Sequence, residues 1–165
     1  MRILVACEES QAVTIELRRL GHEAYSCDIQ DCSGGHPEWH IKGDALALIN
    51  GSCRFQTMDG VWHEIEGPWD MLIAHPPCTF LSNAGACRLY PRKGQIDLGR
   101  YAKGLAAKAF FLSFYNANCP RIAVENPLPS SVFELPPLRS GSIHIKCNAR
   151  TKGLFTRTPS ARGCG

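Results

Sequence analysis

Four short apolar runs constrain this chain more than any other feature. Each ends on, or is followed at once by, a residue with polar or reactive chemistry. They are residues 3–7 (ILVAC), 24–28 (AYSCD), 70–74 (DMLIA, then His75) and 121–125 (RIAVE). A strand covered on both faces reads as a near-continuous apolar run rather than an alternation, so these four read as parallel strands of one buried sheet. Helical patterns lie between them. Ser10 is a candidate N-cap, Val13, Leu17 and Leu20 share one helical face, and Gly21 is a stop signal. In residues 98–115, Leu98, Tyr101, Leu105, Ala109 and Leu112 recur at helical spacing and predict a second amphipathic helix. Residues 53–65 read as a hairpin about Asp59-Gly60, residues 44–49 as a short helix and residues 31–40 as a loop. The fold class expected is α/β, with a mostly parallel sheet and an inserted hairpin.

At 165 residues the chain is expected to form one domain. No apolar run approaches the roughly 18 residues of a membrane span. Nine cysteines, an odd number without a recognisable export signal, suggest reduced thiols in a cytoplasm rather than a disulfide framework. The net charge of +3 is uneven, because residues 135–165 carry six basic and no acidic side chains. That stretch has no sustained periodicity. The expected organisation is a domain over 1–137 and a basic, irregular tail over 138–165 that could hold nucleic acid through its phosphates or simply be solvated. The tail also reads as a divergent or out-of-frame ending.

Ligands of open α/β sheets bind outside the carboxyl ends of the strands. Here those ends carry Cys7-Glu8, Asp28, Cys78 and Glu125. Asp28 lies about 20 residues beyond the first strand–helix turn, where an acid can hold ribose hydroxyls. The first turn, CEESQA, contains no glycine, which disfavours a pyrophosphate cradle and suits a phosphate-free cofactor such as S-adenosylmethionine. Cys78 follows two prolines, so its thiol sits on a stiff loop. It is either a nucleophile or a packed structural cysteine. Glu125 is a candidate for hydrogen bonding to a bound base or for proton transfer.

These residues carry a resemblance. Pro76-Pro77-Cys78, Ser82 and Ala84-Gly85 reproduce the spacing PPCxxxSxAG, which resembles the catalytic loop of the DNA (cytosine-5)-methyltransferases. Glu125-Asn126 in VENP is similar to that family's Glu-Asn-Val signature, Asp28-Ile29 to its ribose-binding acid, and Gly43-Asp44 to its Gly-Asp-Ile. All four occur in the family's order, and the nearest likeness is to short single-domain members found in phage and prophage. The resemblance implies a Rossmann-like S-adenosylmethionine-dependent methyltransferase fold and methyl transfer to carbon 5 of cytosine in DNA through a cysteine adduct. It implies catalytic roles for Cys78, Glu125 and Asn126, and base-side roles for Pro76, Pro77, Ser82 and Gly85. The cofactor would be held by Cys7, Glu8, Asp28, Ile29, Gly43, Asp44 and His75, with no metal. This sequence lacks the family's glycine-rich first turn, its Gln-x-Arg-x-Arg segment, a target-recognition domain and the closing segment. A catalytically defective nucleic-acid or cofactor-binding protein is therefore the alternative.

Other constellations weigh less. Cys27, Cys32, His36 and His40 are zinc-ligand types, but their spacing is far tighter than a zinc finger's. Trp39, Trp62 and Trp69 read as core or hairpin packing. Amino-group methyltransferases place an aromatic after Pro-Pro to stack on the base, and Cys78 cannot stack.

Overall fold

The structure, a computed structural model, describes residues 1–137 and 143–147. Six strands form one sheet: β1 (Arg2–Ala6), β2 (Glu23–Asp28), β3 (His40–Lys42), β6 (Met71–Ala74), β7 (Arg121–Glu125) and β8 (Ile143–Cys147). Their order is β3-β2-β1-β6-β7-β8, parallel throughout except for the antiparallel β8. A separate antiparallel hairpin joins β4 (Cys53–Gln56) to β5 (Trp62–Ile65). The fold is α/β and mostly parallel, an arrangement compatible with a Rossmann-like architecture.

The chain winds outward in both directions from the β1/β6 centre. Helix α1 (Ala12–Arg19) connects β1 to β2, and α3 (Leu98–Tyr115) lies in the connection from β6 to β7. Right-handed crossovers running in opposite directions must place their helices on opposite faces. The packing agrees. On one face Val13 and Leu17 of α1 cover Ile3, Val5 and Ala24. On the other, Phe111 and Phe114 of α3 join the main core with Leu4, Ala6, Leu72, Ile122 and Val124. The β4–β5 hairpin completes that second face over β2. Phe55 stands edge-on to Tyr25 at 5.1 Å, and Trp69 donates its indole N–H to the Leu48 carbonyl at 2.7 Å. Each large apolar side chain so buried stabilises the fold by about 1.5–3 kcal/mol.

Several local expectations are corrected. Ser10 does not cap α1. The N-cap is Gln11, in the left-handed region at φ 60°, and makes no side-chain cap bond. Leu20 falls past the helix end and is 72% exposed. Residues 44–49 hold only a single 3-10 turn, Ala45–Ala47, capped by Asp44. The hairpin turn is not Asp59-Gly60 as its two central residues. Gly60 N–H bonds the Thr57 carbonyl at 2.9 Å, so Met58 and Asp59 are central and Gly60, at φ 89°, takes the left-handed position that follows. Helix α3 has the expected bounds but a different buried stripe. Leu98 and Leu105 are 72% and 45% exposed, while Gly104, Phe111 and Phe114 face the core. The two phenylalanines bury more area than the leucines could, and Gly104 admits the Phe133 ring, which would lie 2.1 Å from an added Cβ.

The irregular tail expected from 138 onward is overturned at Ile143–Cys147. This segment pairs along the whole of β7, with Glu125 opposite Ile143 and Arg121 opposite Cys147. Pairing satisfies the edge of β7, and the fully buried His144 ring packs edge-on to Phe111 at 5.0 Å. Residues 138–142 and 148–165, with the reading of the ending as divergent or out of frame, lie outside the described residues.

Candidate active site

The sheet changes winding direction between β1 and β6, and their carboxyl ends open a crevice there. The register aligns Ala6, Ala74 and Val124 on adjacent strands, so Cys7, His75 and Glu125 stand at the next level across three strand tips. The loops carrying Cys78 and Asn126 leave from this line.

A cavity of about 230 Å³ lies at the β1, β2 and β3 side of the crevice. Its walls include Cys7, Asp28, Ile29, Gly43, Asp44 and His75, six of the seven residues expected to meet a cofactor. Asp28 accepts the Gln30 N–H through one carboxylate oxygen at 3.0 Å, and Asp44 accepts the Leu46 N–H at 2.9 Å. The second oxygen of each carboxylate makes no hydrogen bond among the described residues. Ile29, 76% exposed immediately after Asp28, offers an apolar surface beside that acid. Cys27, Gln30, Ala45 and Phe110 also line the cavity and were not expected there, and Pro77, expected on the base side, lines it too. Cys27 and Gln30 flank the Asp28-Ile29 pair and were within reach of sequence reasoning. Phe110 was not, because its position depends on the rotational setting of α3.

A second lobe of about 330 Å³ adjoins the first and shares Cys7 and His75 with it. Glu8, the seventh expected residue, lines this lobe but is turned to another task. Its carboxylate accepts the backbone N–H of Val13 at 2.6 Å and of Thr14 at 3.3 Å, and the Thr14 hydroxyl at 2.7 Å. It thus caps α1 in place of the expected Ser10.

The first turn is held from outside by the loop after β2. The Gln11 amide donates to the His36 carbonyl at 2.8 Å and accepts the His36 N–H at 3.0 Å. Gly34 packs so closely that an added Cβ would lie 2.5 Å from the Ser10 carbonyl oxygen. This bracing sustains left-handed conformations at Cys7 (φ 58°) and Gln11 (φ 60°), which cost a non-glycine residue about 1–2 kcal/mol each. Burial, reinforced by the Asp28 and Asp44 carboxylates, pushes the Cys7 thiol up to about 12. Burial also pushes Cys27 up to about 12. Neither can serve as a thiolate near neutral pH.

On the β6–β7 side, Cys78 opens a tight turn whose carbonyl accepts the N–H groups of Leu81 and Ser82, each at 3.0 Å. Its thiol is half-buried, as is Glu125 at the neighbouring tip. The two loops are latched together. Asn83 N–H bonds the Leu128 carbonyl and Ser130 N–H bonds the Leu81 carbonyl, both at 2.8 Å, around a bridge between Ser82 and Pro129. Ser82 and Gly85 build this loop. The Ser82 hydroxyl accepts the Gly85 N–H at 3.2 Å and caps the short helix α2 (Asn83–Ala86), while a Cβ on Gly85 would lie 1.9 Å from the Thr79 carbonyl oxygen. Arg100 of α3 donates to the Gly85 carbonyl at 2.9 Å and stacks over Phe80. Asn126 is buried and donates to the Pro127 carbonyl at 2.7 Å. Its Oδ1, like His75 Nε2, is buried without a hydrogen-bond partner among the described residues.

Three of the four zinc-type residues are engaged otherwise, Cys27 through its thiol with the Gly43 carbonyl at 3.5 Å. Both His40 ring nitrogens are in hydrogen bonds, to Ser26 Oγ at 2.8 Å and the Gln30 carbonyl at 3.0 Å, and His36 stacks on Trp39. Among the described residues no group of three or more His, Cys, Asp or Glu side chains is placed to hold a metal ion. Trp39 and Trp69 pack as expected, whereas Trp62 is more than half exposed on the hairpin with Arg54 over its ring. Among the described residues no helix is long and apolar enough to cross a membrane. No family model matches the chain, and a search of curated proteins returns no match.

Proposed function

We propose that this chain transfers a methyl group from S-adenosylmethionine to carbon 5 of cytosine in DNA. The observation that carries the reading is the pairing of two latched loops, one bearing a half-buried thiol and the other following a half-buried carboxylate, with an acid-lined two-lobed cavity on the same crevice. The donor set fits a nucleoside-type cofactor. Asp28 would hold the ribose hydroxyls, Asp44 the adenine amino group and Ile29 the face of the ring. Together the lobes fall within the roughly 300–1,000 Å³ of small-molecule sites.

Cytosine carbon 5 is a poor nucleophile while the ring is aromatic. The Cys78 thiolate adds to carbon 6, forming a carbon–sulfur bond and shifting the ring's electron pair towards carbon 5 and ring nitrogen 3. In its acid form Glu125 donates its O–H to ring nitrogen 3 and accepts a hydrogen bond from the exocyclic amine, so the negative charge that develops on ring nitrogen 3 is met by that proton. When bound, S-adenosylmethionine would supply an electrophilic methyl group to carbon 5, its sulfonium leaving as the neutral thioether of S-adenosylhomocysteine. A water molecule takes the proton from carbon 5, the electron pair of that C–H bond re-forms the double bond to carbon 6, and the Cys78 thiolate departs from carbon 6. The target base must leave the duplex stack first, at about a few kcal/mol. Asn126 holds the turn after Glu125, and Ser82 and Gly85 hold the loop that carries Cys78.

The test is a trap. With S-adenosylmethionine and DNA containing 5-fluorocytosine, fluorine blocks the final elimination and the Cys78 adduct persists on a denaturing gel. An adduct lost in Cys78→Ser is expected. Absence of both adduct and methyl incorporation on DNA of mixed sequence, with DNA binding intact, sinks the reading and leaves a binding protein.

A further inference from the structure

We infer that Glu8 sets the ligand class of the two-lobed cavity, admitting a nucleoside with a neutral or cationic extension and rejecting 5′-phosphorylated nucleotides. This rests on the proposed reading of the cavity as a nucleoside site.

The start of a helix after the first strand is where α/β proteins usually hold phosphate, because free backbone N–H groups and the helix dipole converge on an anion there. In this chain the anion is built in. The N–H groups of Val13 and Thr14 and the Thr14 hydroxyl all point to the Glu8 carboxylate. Glu8 is only 5% exposed, so it is part of the packed wall and not a surface side chain free to swing away. A phosphate entering this lobe would meet a fixed carboxylate where it needs donors. Glu9 lines the same lobe, Asp28 and Asp44 line the other, and among the described residues neither lining contains a lysine or arginine, His75 being the one basic side chain shared by the two. Like charge therefore faces any anionic extension from several sides, while an ammonium or sulfonium group meets opposite charge. The turn also lacks the glycines through which a backbone could approach a phosphate closely.

The experiment is calorimetric titration of the full chain with adenosine, 5′-AMP and S-adenosylhomocysteine. We expect 5′-AMP to bind at least about tenfold more weakly than adenosine, the scale of one screened like-charge contact. Raising the salt concentration should narrow that gap, because repulsion is screened and a steric mismatch is not. Glu8→Gln should narrow it at low salt. Should Glu8→Gln fail to fold, the salt dependence of the wild-type gap decides alone. Equal affinities for adenosine and 5′-AMP, or a gap indifferent to salt, overturn the inference while leaving the 5-fluorocytosine adduct untouched. Failure of every adenosine compound to bind overturns both this inference and the cofactor reading.

Discussion

The two sides of the crevice are built differently. The first turn and the loop that braces it, residues 7–11 and 33–36, satisfy their polar groups internally. Gln11 is bonded through both ends of its amide, and Glu8 is saturated by α1. The loops after β6 and β7 are joined by backbone bonds but leave His75 Nε2 and Asn126 Oδ1 buried and unpartnered. An unpaired buried polar atom costs about 1–3 kcal/mol, and among the described residues the others of this kind are the two ring nitrogens of His144 on β8. The contrast teaches a division of labour. The first turn holds its own polar groups, whereas the strand tips around the crevice keep polar atoms open among the described residues: the second oxygen of Asp28, His75 Nε2 and Asn126 Oδ1.

That contrast can be broken by substitution. Cys78→Ser should lower methyl transfer by more than about a thousandfold while adenosine affinity stays within about twofold, since in the proposed mechanism the thiol meets only the base. Parallel loss of both in turnover and titration experiments would make Cys78 structural. Gly85→Ala forces a Cβ against the Thr79 carbonyl and displaces the Cys78 loop. Transfer should fall about a hundredfold, the cost of a misplaced reacting group, with the cavity intact. An unchanged rate would mean that the loop adjusts freely. On the other side, Asp28→Ala should weaken adenosine by about tenfold or more, as loss of a charge-assisted hydrogen bond requires, without preventing loop folding.

Smaller effects sharpen the comparison. Thr14→Val removes one of the groups that hold Glu8 and should cost about 1–2 kcal/mol in urea unfolding. No change would show the cap to be dispensable. The raised thiols of Cys7 and Cys27 give a pH signature. Their neutral forms stabilise the fold fully below the ordinary thiol pKa, and that stabilisation is lost as pH rises towards about 12. Urea midpoints should therefore fall above about pH 9, less steeply in Cys27→Ala. Identical slopes would detach the cavity thiols from stability.

Much of this was legible in residue order. Strands appeared where the apolar runs stood, with bounds shifted by a residue, and Asp28, Gly43, Asp44 and His75 converged on one cavity as expected. The failures share a cause. Ser10 is a better intrinsic cap than Gln11, but Glu8 reaches the same donors from the preceding turn. The apolar spacing of α3 is helical in more than one phase, and the bulk of Phe111 and Phe114 chose between phases. Strand β8 is not a continuous apolar run like the others: Ile143 and Ile145 are partly exposed and the buried side chain is His144, so it reads as a strand only once β7 offers an edge.

Chain order alone determined the strand–helix–strand alternation and which residues stand at strand tips, because burial on both faces and turn chemistry are local demands. Only the tertiary structure decided that Glu8 belongs to α1, that Phe110 walls the cavity, and that the Cys78 and Asn126 loops are latched. Glu8 lies only five and six residues from its partners, but the turn that aims it is braced by Gln11 against His36; the other two depend on contacts between residues still more distant in sequence, which form only when the sheet brings its ends together.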